Sequence, residues 1–236
     1  MIVIGRGHSG TRALSRTLSE SGVFMGATLN ASYDLVPATE LYDACRFMAR
    51  HVVHRGGVSW DFSRLESMPI DPEFERLARS YAKSVLDHTD GRRGWKLPET
   101  TLILPWIARL FPHAWYFSWV RDPRDSIIGA HLTDDLADFG VPYDQTEDER
   151  KRRAVSWKYQ REIVSATPRP ARWIEVRFED FVLDQEPTLT RPEQFLGIPL
   201  VRIEVRPDSI GRWRTDTLRH DFPFFETDLT ALGYRI

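Results

Sequence analysis

Within Gly5-Arg6-Gly7-His8-Ser9-Gly10-Thr11-Arg12 the chain sets three glycines among two arginines, a histidine and two hydroxyls. That mixture suits the gripping of a phosphate-like anion. Glycines let successive backbone N–H groups converge, and a helix starting behind them adds about half a positive charge. Gly5 and Gly10 fit the pattern G-x-x-x-x-G-K-[ST], but Thr11 and Arg12 stand where it has Lys and Ser/Thr. The phosphate lysine and the magnesium-binding hydroxyl are both missing. The ligand expected is therefore gripped by side-chain cations without a metal. A second cationic run, Arg121-Asp122-Pro123-Arg124-Asp125-Ser126, puts arginines at a helix start and suits a second phosphate. A third, Ser209-Ile210-Gly211-Arg212-Trp213-Arg214, offers two more arginines around an indole. Lys96 and Glu99 supply a cation and a carboxylate in between.

These residues need a scaffold that brings distant loops together. Ile2 to Ile4 reads as a buried strand, and Thr11 to about Ser21 as a helix with Leu14 and Leu18 on one side. Further strands are expected at Arg93–Leu97, Ala114–Val120 and Trp173–Val176, each followed by a loop rich in charge. The fold class expected is α/β, a central parallel sheet of P-loop type flanked by helices. Ligands of such sheets bind outside the carboxyl ends of the strands, which is where Lys96, Glu99 and Arg121 fall. Residues 30–90 read as a helical insertion after the first strand–helix unit. One helix is expected from about Pro37 to Arg55, stopped by Gly56-Gly57, and another from Pro72 to His88. A helix after Pro123 is expected to reach Leu136, Thr146–Glu149 reads as a capping box, and Pro192 to Leu196 as a short helix. Lys151-Arg152-Arg153 reads as a solvated face.

Composition sets the outer limits. The 236 residues are 42% hydrophobic and 28% charged, which fits one sizeable α/β domain over 1–236. The net charge of −2 gives no reason to expect nucleic acid as a partner. The single cysteine, Cys45, excludes an internal disulfide. No apolar run approaches the roughly 18 residues of a membrane span, and residues 1–5 read as core strand rather than as a leader. The expectation is a cytoplasmic protein without a membrane partner.

Gly7-His8-Ser9-Gly10-Thr11 resembles the 5′-phosphosulfate loop of the sulfotransferases that use 3′-phosphoadenosine 5′-phosphosulfate (PAPS), commonly [KR]-[SGT]-G-T-[TR]. His8 stands where that family has a catalytic lysine or arginine. Arg121-Asp122-Pro123-Arg124-Asp125 resembles the family's 3′-phosphate motif, R-[DN]-P-x-[DE]. The family's serine eight residues after that arginine is here Gly129, with Ser126 the nearest hydroxyl. Gly211-Arg212-Trp213-Arg214 is similar to a late G-x-W-[KR] loop that closes over the 3′-phosphate and adenine. Arg177-Phe178-Glu179-Asp180-Phe181 and the Leu-Gly-Tyr ending, residues 232–234, follow the family pattern too.

The resemblance implies sulfuryl transfer from PAPS to a hydroxyl or amine of a small-molecule or carbohydrate acceptor, releasing PAP and requiring no metal. It assigns Arg6, Gly7, His8, Ser9, Gly10, Thr11 and Arg12 to the phosphosulfate. It assigns Arg121, Ser126, Gly211, Arg212, Trp213 and Arg214 to the rest of the nucleotide. PAPS carries two separate anions, and the chain offers two anion sites; a triphosphate would need one. The transfer is an in-line displacement, so positioning and charge stabilisation carry the catalysis. His8, Lys96 and Arg12 are the cations expected to act, and Glu99, Glu40 and Asp34 the alternatives for a base. Two other readings stay open: a P-loop small-molecule kinase, and a binder of PAP or PAPS without catalysis.

Overall fold

The computed structural model describes residues 1–235. These described residues form six strands: β1 (Ile2–Ile4), β2 (Val53–Gly56), β3 (Ser59–Asp61), β4 (Trp95–Lys96), β5 (Tyr116–Val120) and β6 (Trp173–Arg177). The helices are α1 (Thr11–Glu20), α2 (Thr39–Ala49), α3 (Ser63–Ser67), α4 (Pro72–Tyr81), α5 (Lys83–Asp87), α6 (Leu104–Leu110), α7 (Pro123–Ser126), α8 (Glu149–Ala166), α9 (Phe178–Leu183), α10 (Gln185–Leu196) and α11 (Glu226–Ala231).

The central sheet has the order β4-β1-β5-β6, and every pairing is parallel. Ile2 and Ile4 point to one face, into a core shared with α2, α4, α6 and α8. Val3 points to the other, with Leu14 and Leu18 of α1, Phe181 of α9 and Leu189 of α10. Side chains alternate across a strand, and both faces are covered by helices, so β1 reads as an unbroken apolar run and β5 as one broken only by Ser118. The register Ile2↔Trp95 and Ile2↔Tyr116 aligns the strand ends. As a result, the loops after β1, β4, β5 and β6 open on one edge of the sheet.

Several elements differ from the sequence expectations. Residues 50–55 do not continue α2, which ends at Ala49; Val53–Asp61 forms an antiparallel hairpin. Gly56 and Gly57 take positive φ angles of 99° and 60° in its turn, the conformation a tight hairpin needs. What holds the hairpin is distant in sequence: Trp60 packs edge-to-face on Tyr159 and donates to the Pro142 carbonyl at 2.8 Å. Asp148, not Thr146, caps α8 by accepting from the Lys151 amide. Arg153 is not solvated but donates to the Ile128 carbonyl at 2.8 Å. Helix α10 begins at Gln185, about two turns before Pro192. After Pro123 the helix lasts one turn, α7, and the chain then bends through Gly129 into a short 3-10 turn capped by His131. That bend shapes the site.

Candidate active site

The glycine loop leaves β1 at Gly5, whose N–H donates to Thr101 Oγ1 at 2.9 Å. It ends at Gly10, where φ is 92° and an added Cβ would lie 2.5 Å from the Phe178 ring, so no other residue fits there without strain. Helix α1 starts at Thr11 with no side-chain cap. The Ala13 N–H is taken by the Gly10 carbonyl at 2.9 Å, which leaves the N–H groups of Thr11 and Arg12 for an anion. Gly7, His8, Gly10, Thr11 and Arg12 line a cavity of about 760 Å³ at this edge of the sheet.

Arg6 and Ser9 do not line it. The Arg6 guanidinium is buried, paired with Asp134 and donating to the Gly7 and Ser126 carbonyls. Ser9 donates back to the Arg6 carbonyl, and its own carbonyl accepts from Trp119 Nε1 at 2.8 Å. Both brace the loop from behind. Of the residues expected to touch the ligand, these two side chains are placed away from the cavity.

His8 projects into the cavity from a left-handed backbone, φ 60°. Such a conformation costs about 1–3 kcal/mol outside glycine and is held only by its surroundings. Burial chiefly, with the nearby Arg6, lowers its pKa below the ordinary histidine value, while Asp134 and a hydrogen bond to the Ala130 backbone oppose. A bound anion would favour the charged form of the ring and oppose that fall. A Cβ on Gly129 would come 2.7 Å from His8 Nδ1. The two departures from the family pattern thus occupy one space: the histidine sits where a larger residue 129 would be.

Arg121, at the end of β5, ties three loops together. It donates to the His8 carbonyl at 3.0 Å and to the Ser209 carbonyl, and stacks on the Phe178 ring at 4.3 Å. Asp125 in α7 fastens the late loop, accepting from the N–H groups of Gly211 at 2.6 Å and Trp213 at 3.0 Å. Arg121 and Arg212 reach the cavity wall. Gly211, Trp213 and Arg214 do not: Trp213 lies against the guanidiniums of Arg124 at 4.0 Å and Arg214 at 5.0 Å, bracing the loop. Ser126 is fully buried and donates to the Asp122 carbonyl at 3.0 Å, so it does not substitute for the absent serine. Glu179 accepts from the Asp122 amide and the Tyr234 hydroxyl, which orders the end of β6.

Lys96, at the end of β4, is 2% exposed yet touches the cavity. Its Nζ donates to Asp34 Oδ1 and to the Ser32 carbonyl at 2.7 Å. Burial lowers its pKa and Asp34 opposes the fall. Asp34 is on the cavity wall, whereas Glu99 is 2% exposed and behind it, and Glu40 is in the first turn of α2 away from it. Burial pushes the Glu99 pKa up to about 7, with Asp34 adding to the rise and a hydrogen bond to its own backbone and Lys96 opposing. Of the three carboxylates expected as bases, Asp34 is thus the one on the wall, with Glu99 enclosed behind it.

The model of the sulfotransferase family matches residues 1–202. The chain belongs to the sulfotransferase family. Among solved structures, this sulfotransferase is similar to the sulfotransferase domain from the curacin biosynthetic pathway, at 12% identity and a TM-score of 0.64, covering 100% of this chain and 97% of that one. It is also similar to the sulfotransferase domain of the Synechococcus PCC 7002 olefin synthase, at 15% identity and a TM-score of 0.59, covering 100% and 94%. At those identities the likeness is one of fold. A search of curated protein sequences gives no match. The sulfotransferase also brings to its cavity residues that the motifs did not single out: Arg16, Arg206 and His131. Arg206 precedes the late loop by five residues, and its charge was the available signal. His131 carried none, since its position depends on the bend after α7. No helix among the described residues is long and apolar enough to cross a membrane.

Proposed function

We propose that the protein transfers a sulfuryl group from PAPS to a hydroxyl or amine of a small-molecule or carbohydrate acceptor and releases PAP. One observation carries the reading. A single cavity joins the glycine loop and the uncapped start of α1 to Arg12, Arg206 and Arg212, whose guanidiniums have no hydrogen-bond or ion-pair partner among the described residues. A donor with an anion at each end uses both regions; a ligand with one polyphosphate tail uses one. The settings of the two similar domains, a biosynthetic pathway and an olefin synthase, are in keeping with a small-molecule acceptor.

In the step proposed, the acceptor's oxygen or nitrogen bonds to sulfur while the bond from sulfur to the bridging oxygen breaks. The bonding pair stays on the phosphate of departing PAP. Arg12, the α1 N–H groups and His8 stabilise that charge. Asp34, the carboxylate on the wall beside Lys96, receives the acceptor's proton, and Lys96 holds it in place. The mutual fit of His8 and Gly129 favours an adapted catalyst over a degraded one.

Calorimetric titration tests the reading. Micromolar PAP binding without Mg²⁺, lost in Arg212→Ala, supports it. Binding of ATP with Mg²⁺ and no response to PAP would replace it with a phosphotransferase.

A further inference from the structure

His131 sits over the glycine loop. A Cβ on Gly7 would lie 2.0 Å from its ring, so the two pack face to backbone. It faces His8 edge-on, with ring centroids 5.8 Å apart and an interplanar angle of 77°. It lines the same cavity, at the phosphosulfate end proposed above rather than at the Arg206 end.

A buried polar network fixes this ring. The Thr133 N–H donates to its Nδ1 at 3.2 Å, and Thr133 Oγ1 lies 3.0 Å from the same atom. Gln160 Nε2 donates to Thr133 Oγ1 at 3.3 Å and to Ser156 Oγ at 3.1 Å, and Ser156 Oγ donates to the Thr133 carbonyl. The Thr133 N–H is a donor only and needs the Nδ1 lone pair, so Oγ1 donates to that atom rather than accepting from it. Thr133, Ser156 and Gln160 are 0%, 0% and 3% exposed. The histidine's backbone is held as well: its N–H donates to Asp134 Oδ2 at 2.6 Å, and Arg6 grips the other oxygen of that carboxylate. Two donors on Nδ1 leave the ring hydrogen on Nε2. Nε2 has no partner among the described residues. Because the only lone pair is already used, the ring is a donor and not a base.

We infer that His131 is a fixed, uncharged hydrogen-bond donor whose Nε2–H contacts an oxygen of the sulfuryl group being transferred. The inference rests on the sulfotransfer reading. The groups facing the ring are Arg6, His8, Lys96 and Asp134. Burial first, then the neighbouring Arg6, His8 and Lys96, push its pKa down to about 3, so it carries no charge at working pH. A neutral donor of fixed direction aims at equatorial oxygens without competing for a proton. Preorganised donors of that kind are worth roughly 10²–10³ in rate.

PAP lacks the sulfuryl group, so comparing it with PAPS isolates the contact without an acceptor. In His131→Phe the calorimetric affinity for PAP is expected within about threefold of the parent, while that for PAPS falls about tenfold or more. His131→Gln, which keeps an N–H donor, is expected to recover part of the loss. Equal changes for PAP and PAPS, or no change for either, overturn the inference. Ring-nitrogen NMR of the unaltered protein checks the geometry independently. The Nε2–H tautomer, not titrating between about pH 5 and 8, is expected; the other tautomer, or titration in that range, overturns it. Failure of the unaltered protein to bind PAP would instead defeat the functional reading, with the NMR result unaffected.

Discussion

His8 and Gly129 are best regarded as one feature. The ring of one fills the space that a side chain at the other would need. His8→Ala is expected to slow PAP release from PAPS by about 10²-fold or more. Gly129→Ala, by displacing the ring, is expected to cost about tenfold alone and almost nothing beside His8→Ala. That non-additivity corresponds to a coupling of ~1–2 kcal/mol, measured by a double-mutant cycle. Glu99 makes a separate prediction about stability. Its folded pKa of about 7 is above the ordinary 4.5. Between those values the folded protein holds a proton that the unfolded chain has lost, so the group's contribution to stability falls as pH rises from about 4.5 to 7. Glu99→Gln removes that slope. Denaturant unfolding is expected to show the variant gaining on the parent across this window, by about 3 kcal/mol at its upper end. A gain that does not grow with pH would contradict the protonated carboxyl.

At the level of elements, the late loop depends on α7. Asp125 is 1% exposed and takes both the Gly211 and the Trp213 amides. Its ion-pair partner across one turn is Arg121, at 3.7 Å, which itself holds the His8 and Ser209 carbonyls. One carboxylate therefore positions both the start of α7 and the segment carrying Arg212. Asp125→Ala is expected to weaken PAP binding by about tenfold or more and to speed hydrogen exchange at residues 211 and 213. Asp125→Asn retains one acceptor oxygen and should fall between. Normal PAP affinity with a released loop would mean that Arg212 is not part of the nucleotide site.

For the whole molecule, the ligand is expected to report on the fold. The proposed nucleotide contacts come from the segments after β1 and β5, from α1 and from the late loop, so binding ties regions some 200 residues apart. PAP at a hundred times its dissociation constant would add about 2.7 kcal/mol of stability. For a chain of this length that corresponds to a rise in Tm of about 5–10 °C. The shift should appear without Mg²⁺, read by thermal unfolding with and without PAP. A shift that requires Mg²⁺ would point to a different ligand class.

The strand–glycine loop–helix run at the N-terminus, the order of the parallel strands' segments and the cationic loops behind β1 and β5 were all legible in the sequence. Each depends on neighbours a few residues away: glycine spacing, apolar runs, a proline and an aspartate at a helix start. Partners of the charges were not legible, because they come from far along the chain. Arg6 is bound by Asp134, 128 residues on, and Lys96 by Asp34, 62 residues back. Those contacts move Arg6 out of the site and place Asp34 within it. The same is true of His131, which enters only because the chain bends after one turn of α7 and Thr133, Ser156 and Gln160 close around the bend. Local spacing determines which elements form and that an anion can be held among them. Burial and long-range pairing determine which of the charged groups remain free to hold it.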